Sequence, residues 1–298
     1  MKAPMTQALK KRRQISGSPR IRLDVEDIDC PFCGADEHIP WARENGYTAV
    51  RCAACGVVYV NPRPSLSTIS EASKTGVHKT ATSDMSVAFR RSRRKIFKYS
   101  AIIREIFAPE IATGKPLSWL DVGAGYGEFL EAVLAAIPPG GVVRGMEPMQ
   151  PKVAVARSRG LPIVDTPLGK MKGQFDVISL INVFSHIPDF EGFLKQLTAH
   201  SSRAGILFIE TGNGGDLTRR EYPDELFLPD HLVFAGVKHI SSLLEKLGFR
   251  VEAVHQYRVD TATWAVKRFA KGLLRGRFDM AVPYTSPFRT IFFKARRI

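Results

Sequence analysis

The stretch L-D-V-G-A-G-Y-G-E-F-L, residues 120–130, governs how the rest of the chain is read. It closes a short apolar run, P-L-S-W-L-D-V at 116–122, and opens G-E-F-L-E-A-V-L-A-A-I at 127–137, whose spacing is helical. A strand, a glycine-rich turn and a helix in that order form the first unit of an open α/β sheet. In such sheets ligands bind beyond the carboxyl ends of the strands, where glycines let the backbone come close. A dinucleotide fingerprint would run G-x-G-x-x-G. Here that register gives Gly123, Gly125 and then Glu128, a carboxylate where a pyrophosphate would have to sit. The pattern present is D-x-G-x-G-x-G, from Asp121 through Gly123 and Gly125 to Gly127, and it weighs against a nicotinamide dinucleotide.

Working outward toward the C-terminus, V-V-R-G-M-E at 142–147 reads as the second strand and residues 151–159 as a helix. L-P-I-V at 161–164 is a third strand, and F-D-V-I-S-L-I-N-V-F at 175–184 a fourth, apolar throughout as a central parallel strand is. Helix 189–201, strand 205–210, helix 239–247, strand 249–255 and a terminal R-T-I-F-F-K-A strand complete the series. The alternation predicts a doubly wound, seven-stranded, mostly parallel sheet. Glu147 ends the second strand, 20 residues after Gly127. A carboxylate there can accept hydrogen bonds from both hydroxyls of a ribose and would repel a 2′-phosphate.

Toward the N-terminus lie the chain's four cysteines, Cys30, Cys33, Cys52 and Cys55, as C-P-F-C-G and C-A-A-C-G. Two C-x-x-C pairs at this separation match a four-thiolate, structural zinc site, with two disulfides as the alternative. All four positions of such a site are filled by protein, so the metal holds structure and catalyses nothing. The N-terminal sequence has no apolar signal region, and we expect a cytoplasmic protein in a reducing compartment.

The expected organisation is a disordered basic tail over 1–20, a zinc ribbon over 21–64, a helical linker or cap over 65–112, and a sheet domain over 113–298 with an insertion at 212–238. T-A-V-R at 48–51 and V-V-Y-V at 57–60 are the ribbon's strands, whereas residues 65–88 carry no clear pattern. From Phe89 to Phe107 the apolar residues recur at helical spacing, with an Arg/Lys cluster on the other face.

Lys and Arg number 43 against 29 Asp and Glu, a formal charge of +14. The excess is concentrated in residues 1–22, 90–104 and 250–298, as expected for an anionic partner. No run approaches the length of a membrane-spanning helix. The stripe Trp264, Val266, Phe269, Leu273 and Leu274, with Lys267, Arg268 and Lys271 opposite, has the pattern of a helix lying on an anionic membrane surface.

Together these landmarks resemble class I S-adenosylmethionine-dependent methyltransferases, in the subgroup that carries a four-Cys zinc ribbon. The resemblance runs from Cys30 to the C-terminus through L-D-V-G-A-G-Y-G-E-F-L, G-M-E-P, F-D-V-I-S-L-I-N-V-F-S-H-I-P-D, I-E-T-G-N and D-H-L-V-F. It implies S-adenosylmethionine over Gly123, Gly125 and Gly127, with Glu147 on its ribose. Asp121 would orient the loop near the amino-acid end, and Asp165 would approach the adenine. After the fourth strand the family shows acids before its histidine, whereas this chain has Asn182 and Ser185 before His186. Asn182 remains at the cofactor edge, and both structural and functional roles stay open for His186. Similar sugar C-methyltransferases place Glu-His where Asp230-His231 stands here, which implies His231 as the acceptor-site residue or base. Those enzymes also carry a C-terminal domain with no counterpart in these residues.

Three acceptor readings remain. One is a small, anionic molecule such as a nucleotide-sugar or glycan precursor, with His231 and His186 as catalytic candidates. Another is RNA, docked through the basic tail and ribbon. The third is a non-catalytic S-adenosylmethionine-binding module.

Overall fold

The computed structural model describes residues 23–87, 91–222, 225–258 and 287–298. The basic tail over 1–20 and the amphipathic stripe at 262–274 lie outside the described residues. The N-terminal part holds β1 (Val25–Glu26), β2 (His38–Glu44), β3 (Tyr47–Cys52), β4 (Val58–Val60) and β5 (Arg63–Pro64). Next come α1 (Leu66–Thr75), the hairpin β6 (Val77–Lys79) and β7 (Asp84–Ser86), α2 (Arg93–Ile106) and α3 (Ala108–Ala112). The remainder runs β8 (Trp119–Val122), α4 (Glu128–Ala136), β9 (Val143–Met146), α5 (Gln150–Arg157), β10 (Ile163–Val164) and β11 (Phe175–Ile181). It continues with α6 (Phe190–Thr198), β12 (Ser201–Gly212), β13 (Val233–Phe234), α7 (Val237–Lys246), β14 (Phe249–Arg258) and β15 (Arg289–Arg297).

The large sheet has seven strands in the order β10-β9-β8-β11-β12-β15-β14. The first five are mutually parallel, and β15 runs antiparallel to both β12 and β14. From β8 the chain moves outward through β9 to β10, then returns to the other side of β8 as β11. The crevice at the carboxyl ends of β8 and β11 is therefore the switch point where this topology places ligands. β11 lies in the middle because F-D-V-I-S-L-I can be buried on both faces. Val177, Ile178 and Leu180 are all essentially inaccessible. One face packs Ile178, Leu180 and Leu207 toward Phe184, Phe190 and Leu243, and the other packs Trp119, Val177 and Phe208 under α2 and α4. In α2 the residues turned inward are Tyr99, Ile102, Ile103 and Ile106, while Arg93, Arg94, Lys95 and Lys98 are exposed.

Residues 65–88, unpatterned in sequence, are ordered by their ends. Ser65 caps α1 by accepting from Thr68 N, and Gly76 ends it in a left-handed conformation, φ 70°. The hairpin β6–β7 follows and brings His78 forward.

The ribbon's strands do not stand alone. β13, from the insertion at 212–238, pairs antiparallel with β4 and extends the sheet to the order β13-β4-β3-β2. Cys30, Cys52, Val57 and Tyr59 share one apolar core with β11 and α6, and the Phe32 ring lies 4.5 Å from that of Phe190. The physical reason is that V-V-Y-V at 57–60 is apolar on both faces, so it needs cover on both. Leu232 joins the parts, because its N–H donates to Ser185 O at 2.7 Å and its carbonyl accepts from Val60 N at 2.9 Å. The β2–β3 turn grips the same segment. Glu44 accepts from Leu226 N (2.8 Å) and Leu228 N (3.1 Å), and Asn45 Nδ2 donates to Leu228 O (2.7 Å).

Arg51 adds three donations, to Gly56 O (2.9 Å), Gly215 O (3.3 Å) and Leu217 O (2.7 Å). Arg51→Met should cost about 1–3 kcal/mol in urea denaturation, the scale of charged hydrogen bonds lost from partly buried carbonyls. Limited proteolysis of that variant should cut first within 214–234; unchanged stability and cutting would remove Arg51 as the link.

Candidate active site

The glycine loop lies where the sequence placed it, between β8 and α4. Gly123, Gly125 and Gly127 all have positive φ, at 73°, 56° and 84°. A Cβ on Gly123 would run into Val183, whereas one on Gly125 would meet nothing within 4 Å. The loop is packed against the protein behind Gly123 and open at Gly125, the shape of a cradle for a ligand. Glu147 follows β9 and is buried. Its Oε2 accepts from Gly125 N at 2.8 Å and its Oε1 from Met149 N at 3.0 Å. Each oxygen keeps a second lone pair for a hydroxyl.

Asp121 lies at the same carboxyl edge and is 1% exposed. Trp119 Nε1 donates to Ser179 Oγ (2.9 Å), and Ser179 Oγ donates to Asp121 Oδ1 (2.6 Å). Asp121 Oδ2 is buried without a hydrogen bond among the described residues. Burial raises its pKa to about 8; the Ser179 bond opposes this, and the nearby Glu147 and Glu210 charges add to it.

Glu210, on β12, stands beside these groups and carries no assignment from the sequence. It is buried, and Tyr99 OH from α2 donates to its Oε2 at 3.0 Å. Burial raises its pKa, while Lys98, the Tyr99 bond and Lys95 act against that rise. Glu128 joins the group by accepting from Ser92 N at 2.9 Å, which ties the start of α2 to the start of α4. The carboxylates of Asp121, Glu147 and Glu210 thus converge under the loop, and none forms an ion pair among the described residues. Such a cluster of buried carboxylates suits a cation. The only sequence signal for Glu210 is an acid inside the otherwise apolar run I-L-F-I-E.

On the other side of the crevice, His186 ends a single helical turn after β11, and Asp230 and His231 come from the insertion. His186 Nδ1 lies 2.8 Å from Asp230 O and 3.1 Å from Asp230 Oδ1. His78 Nε2 from β6 reaches the same Oδ1 at 3.0 Å, and His231 Nδ1 lies 3.0 Å from Leu226 O. The His186 and His231 rings are 4.8 Å apart. Burial acts to raise the Asp230 pKa, but the two imidazoles hold it well below the carboxylate range. Burial works the other way on His186, where the Asp230 carboxylate prevails and raises the pKa. For His231, burial and then the His186 charge push it down to about 4. His78 is the member the sequence did not single out, since it is distant in sequence from Asp230 and meets it only through the insertion.

Two other candidates stand apart from these groups. Asp165, exposed after β10, is held by Gln150 Nε2 (2.6 Å) and Arg157 Nη2 (3.4 Å). Asn182 is exposed at the end of β11 with a left-handed backbone, φ 57°. At the ribbon, Cys30 and Cys55 sulfurs are 3.5 Å apart and Cys33 and Cys52 sulfurs 3.6 Å. All four lie within 4.8 Å of one another. That is too far for disulfides and close to the ~3.8 Å edge of a tetrahedron with ~2.3 Å zinc–sulfur bonds. Gly34 and Gly56 turn left-handed behind the two knuckles, as their positions predict.

A family model described as a methyltransferase domain matches residues 89–254, more than half of the chain. The chain belongs to this methyltransferase family. It is accordingly an enzyme, and the non-catalytic reading falls away. No curated protein matches the methyltransferase at a significant level. Among solved structures, magnesium protoporphyrin IX methyltransferase from Synechocystis PCC 6803 is similar at 14% identity, with 70% of this chain and 86% of that one covered and a TM-score of 0.44. An S-adenosylmethionine-dependent methyltransferase from Aquifex aeolicus is 17% identical over 70% of this chain and all of that one, TM-score 0.45. One from Mesorhizobium loti is 17% identical over 64% and 97%, TM-score 0.44.

The raised Asp121 pKa has a stability consequence for the methyltransferase. Its folded value of about 8 exceeds the ordinary 3.8, so between those values the folded state holds a proton that the unfolded chain has released. Stability from this group is therefore present below about pH 4 and is lost as pH rises through about 8. Thermal melts of Asp121→Asn across that window should show a flatter pH dependence than the parent chain; parallel curves would place the titration elsewhere.

Proposed function

We propose that the chain transfers the methyl group of S-adenosylmethionine to a small, anionic acceptor of the nucleotide-sugar or glycan-precursor kind. The observation that carries this reading is the set of buried, ion-pair-free carboxylates beneath the open glycine loop, a site short of positive charge. S-adenosylmethionine, when bound, supplies a methyl group already activated on a cationic sulfur, so the protein has mainly to align acceptor and donor and keep water out. Glu147 accepts hydrogen bonds from the ribose hydroxyls through its remaining lone pairs. Asp121 and Glu210 face the positive charge of the cofactor, and Gly125 lets the backbone approach. Asp165 flanks the adenine, and Asn182 borders the cofactor beside the acceptor.

His186 and His231 form the acceptor side. Each engages a carbonyl through Nδ1, so the Nε2 of each is available to hold the acceptor or its proton. The exposed Arg93, Arg94, Lys95 and Lys98 on α2 favour an anionic acceptor, since Lys95 and Lys98 are close enough to Glu210 to influence it. RNA is the second reading, favoured by Phe97, 77% exposed on that same basic face. The stripe at 262–274, read as a contact with anionic membrane, is outside the described residues. No helix among the described residues is long and apolar enough to cross a membrane.

The four cysteines hold a structural zinc ion in this reading, and their need to stay reduced favours the cytoplasm. Cys33→Ser should lose that zinc and loosen the insertion along with the ribbon, because β13 pairs with β4.

Transfer of radiolabelled methyl from S-adenosylmethionine into fractionated extract tests the acceptor. Label in the nucleotide-sugar or glycan fraction supports the proposal, and label in RNA overturns it in favour of the second reading. For the cofactor, Glu147→Gln should weaken S-adenosylmethionine by about 1–3 kcal/mol in calorimetry, the worth of hydrogen bonds to a charged group. Unchanged affinity would refute the ribose assignment. Binding by the parent chain near pH 7 should also release protons, seen as a dependence of the heat on buffer ionisation, because a cation drives Asp121 to ionise.

A further inference from the structure

We infer that His186, Asp230 and His231 form a second metal site, for a borderline divalent cation of the zinc class, on the acceptor side of the crevice. One donor atom from each of the three lies within 4.8 Å of the others. The surroundings match how metal-binding histidines are held, with one ring nitrogen donating to a carbonyl and the other left with its lone pair. His231 Nδ1 is so placed on Leu226 O at 3.0 Å, and His186 Nδ1 on Asp230 O at 2.8 Å. The carboxylate is supported in turn, since His78 Nε2 holds Asp230 Oδ1 at 3.0 Å.

Two imidazoles and one carboxylate favour zinc, iron(II) or cobalt(II) over magnesium and calcium, which prefer all-oxygen ligands. Three protein ligands also leave a tetrahedral ion one open position, unlike the closed four-cysteine site. An acceptor oxygen is the ligand that fits there. The inference rests on the reading of this cluster as the acceptor side, and it names what that side holds.

Cobalt(II) titration of the full chain, with bound metal counted by mass spectrometry, provides the test. Two equivalents per chain are expected. The cysteine site should show an intense thiolate charge-transfer band, and the histidine site only weak ligand-field bands. His231→Gln and Asp230→Asn should each lose the second equivalent while keeping the first, their circular dichroism and their affinity for S-adenosylmethionine. His78→Ala should weaken the second site about 10–100-fold, as loss of a ligand-supporting hydrogen bond does. In the unaltered chain, cobalt should broaden the imidazole proton signals of His186 and His231, which needs no variant to fold.

A single equivalent that disappears in Cys33→Ser, or a second equivalent indifferent to His231→Gln and Asp230→Asn, would overturn the site. Calorimetry with S-adenosylmethionine on the same samples separates the two failures. Normal cofactor binding with one metal equivalent removes the second metal and leaves the methyltransferase reading in place, whereas an unaltered chain that does not bind the cofactor removes that reading.

Discussion

Leu232 is bonded through its two backbone groups to two different parts of the molecule, the turn after β11 and the ribbon strand β4. Because a buried residue must pair both its N–H and its C=O, this one residue sets the distance between the four-cysteine segment and the large sheet. Asp230 and His231 immediately precede it, so their position against His186 follows from the same two bonds. Glu44, Asn45 and Arg51 then hold the flanking backbone from the ribbon side. The ribbon thereby serves as the support for one wall of the crevice.

The opposite wall obeys a different constraint. Asp121, Glu147 and Glu210 are buried toward the carboxyl ends of β8, β9 and β12, where the apolar sheet gives them little solvation. Backbone N–H groups and hydroxyls satisfy part of this need, but Asp121 retains a proton well above the ordinary carboxylate range. Burial without a counter-ion costs folding energy. A cation bound there would offset that cost. Across the crevice, Asp230 has the reverse arrangement, a carboxylate already met by two imidazoles. One crevice thus holds a carboxylate-rich side and a histidine-rich side.

Much of this was legible in the chain. The glycine loop, Glu147 and the apolar β11 segment lie in short local patterns, and each falls in the structure where its pattern put it. The paired cysteines were equally readable, since two C-x-x-C turns need only meet to make a four-sulfur cluster. Glu210, Tyr99 and His78 were not. Each belongs to a different element, and no spacing in the sequence links residues 78, 99 and 210. Residues 65–88 were opaque for another reason, because α1 is defined by a serine cap and a glycine stop while only Ala72 within it is fully buried.

By itself, then, the sequence determined the sheet class, the glycine loop and the sulfur cluster, because period, glycine placement and cysteine spacing are properties of contiguous residues. Only the tertiary structure decided that β13 pairs with β4 to complete the ribbon, that Tyr99 closes over Glu210, and that three histidines gather around Asp230. Those contacts join residues as far apart in number as Val58 and Phe234 or His78 and Asp230, and depend on how separate apolar faces are stacked. Packing is settled by the whole chain at once, and a local pattern carries no record of it.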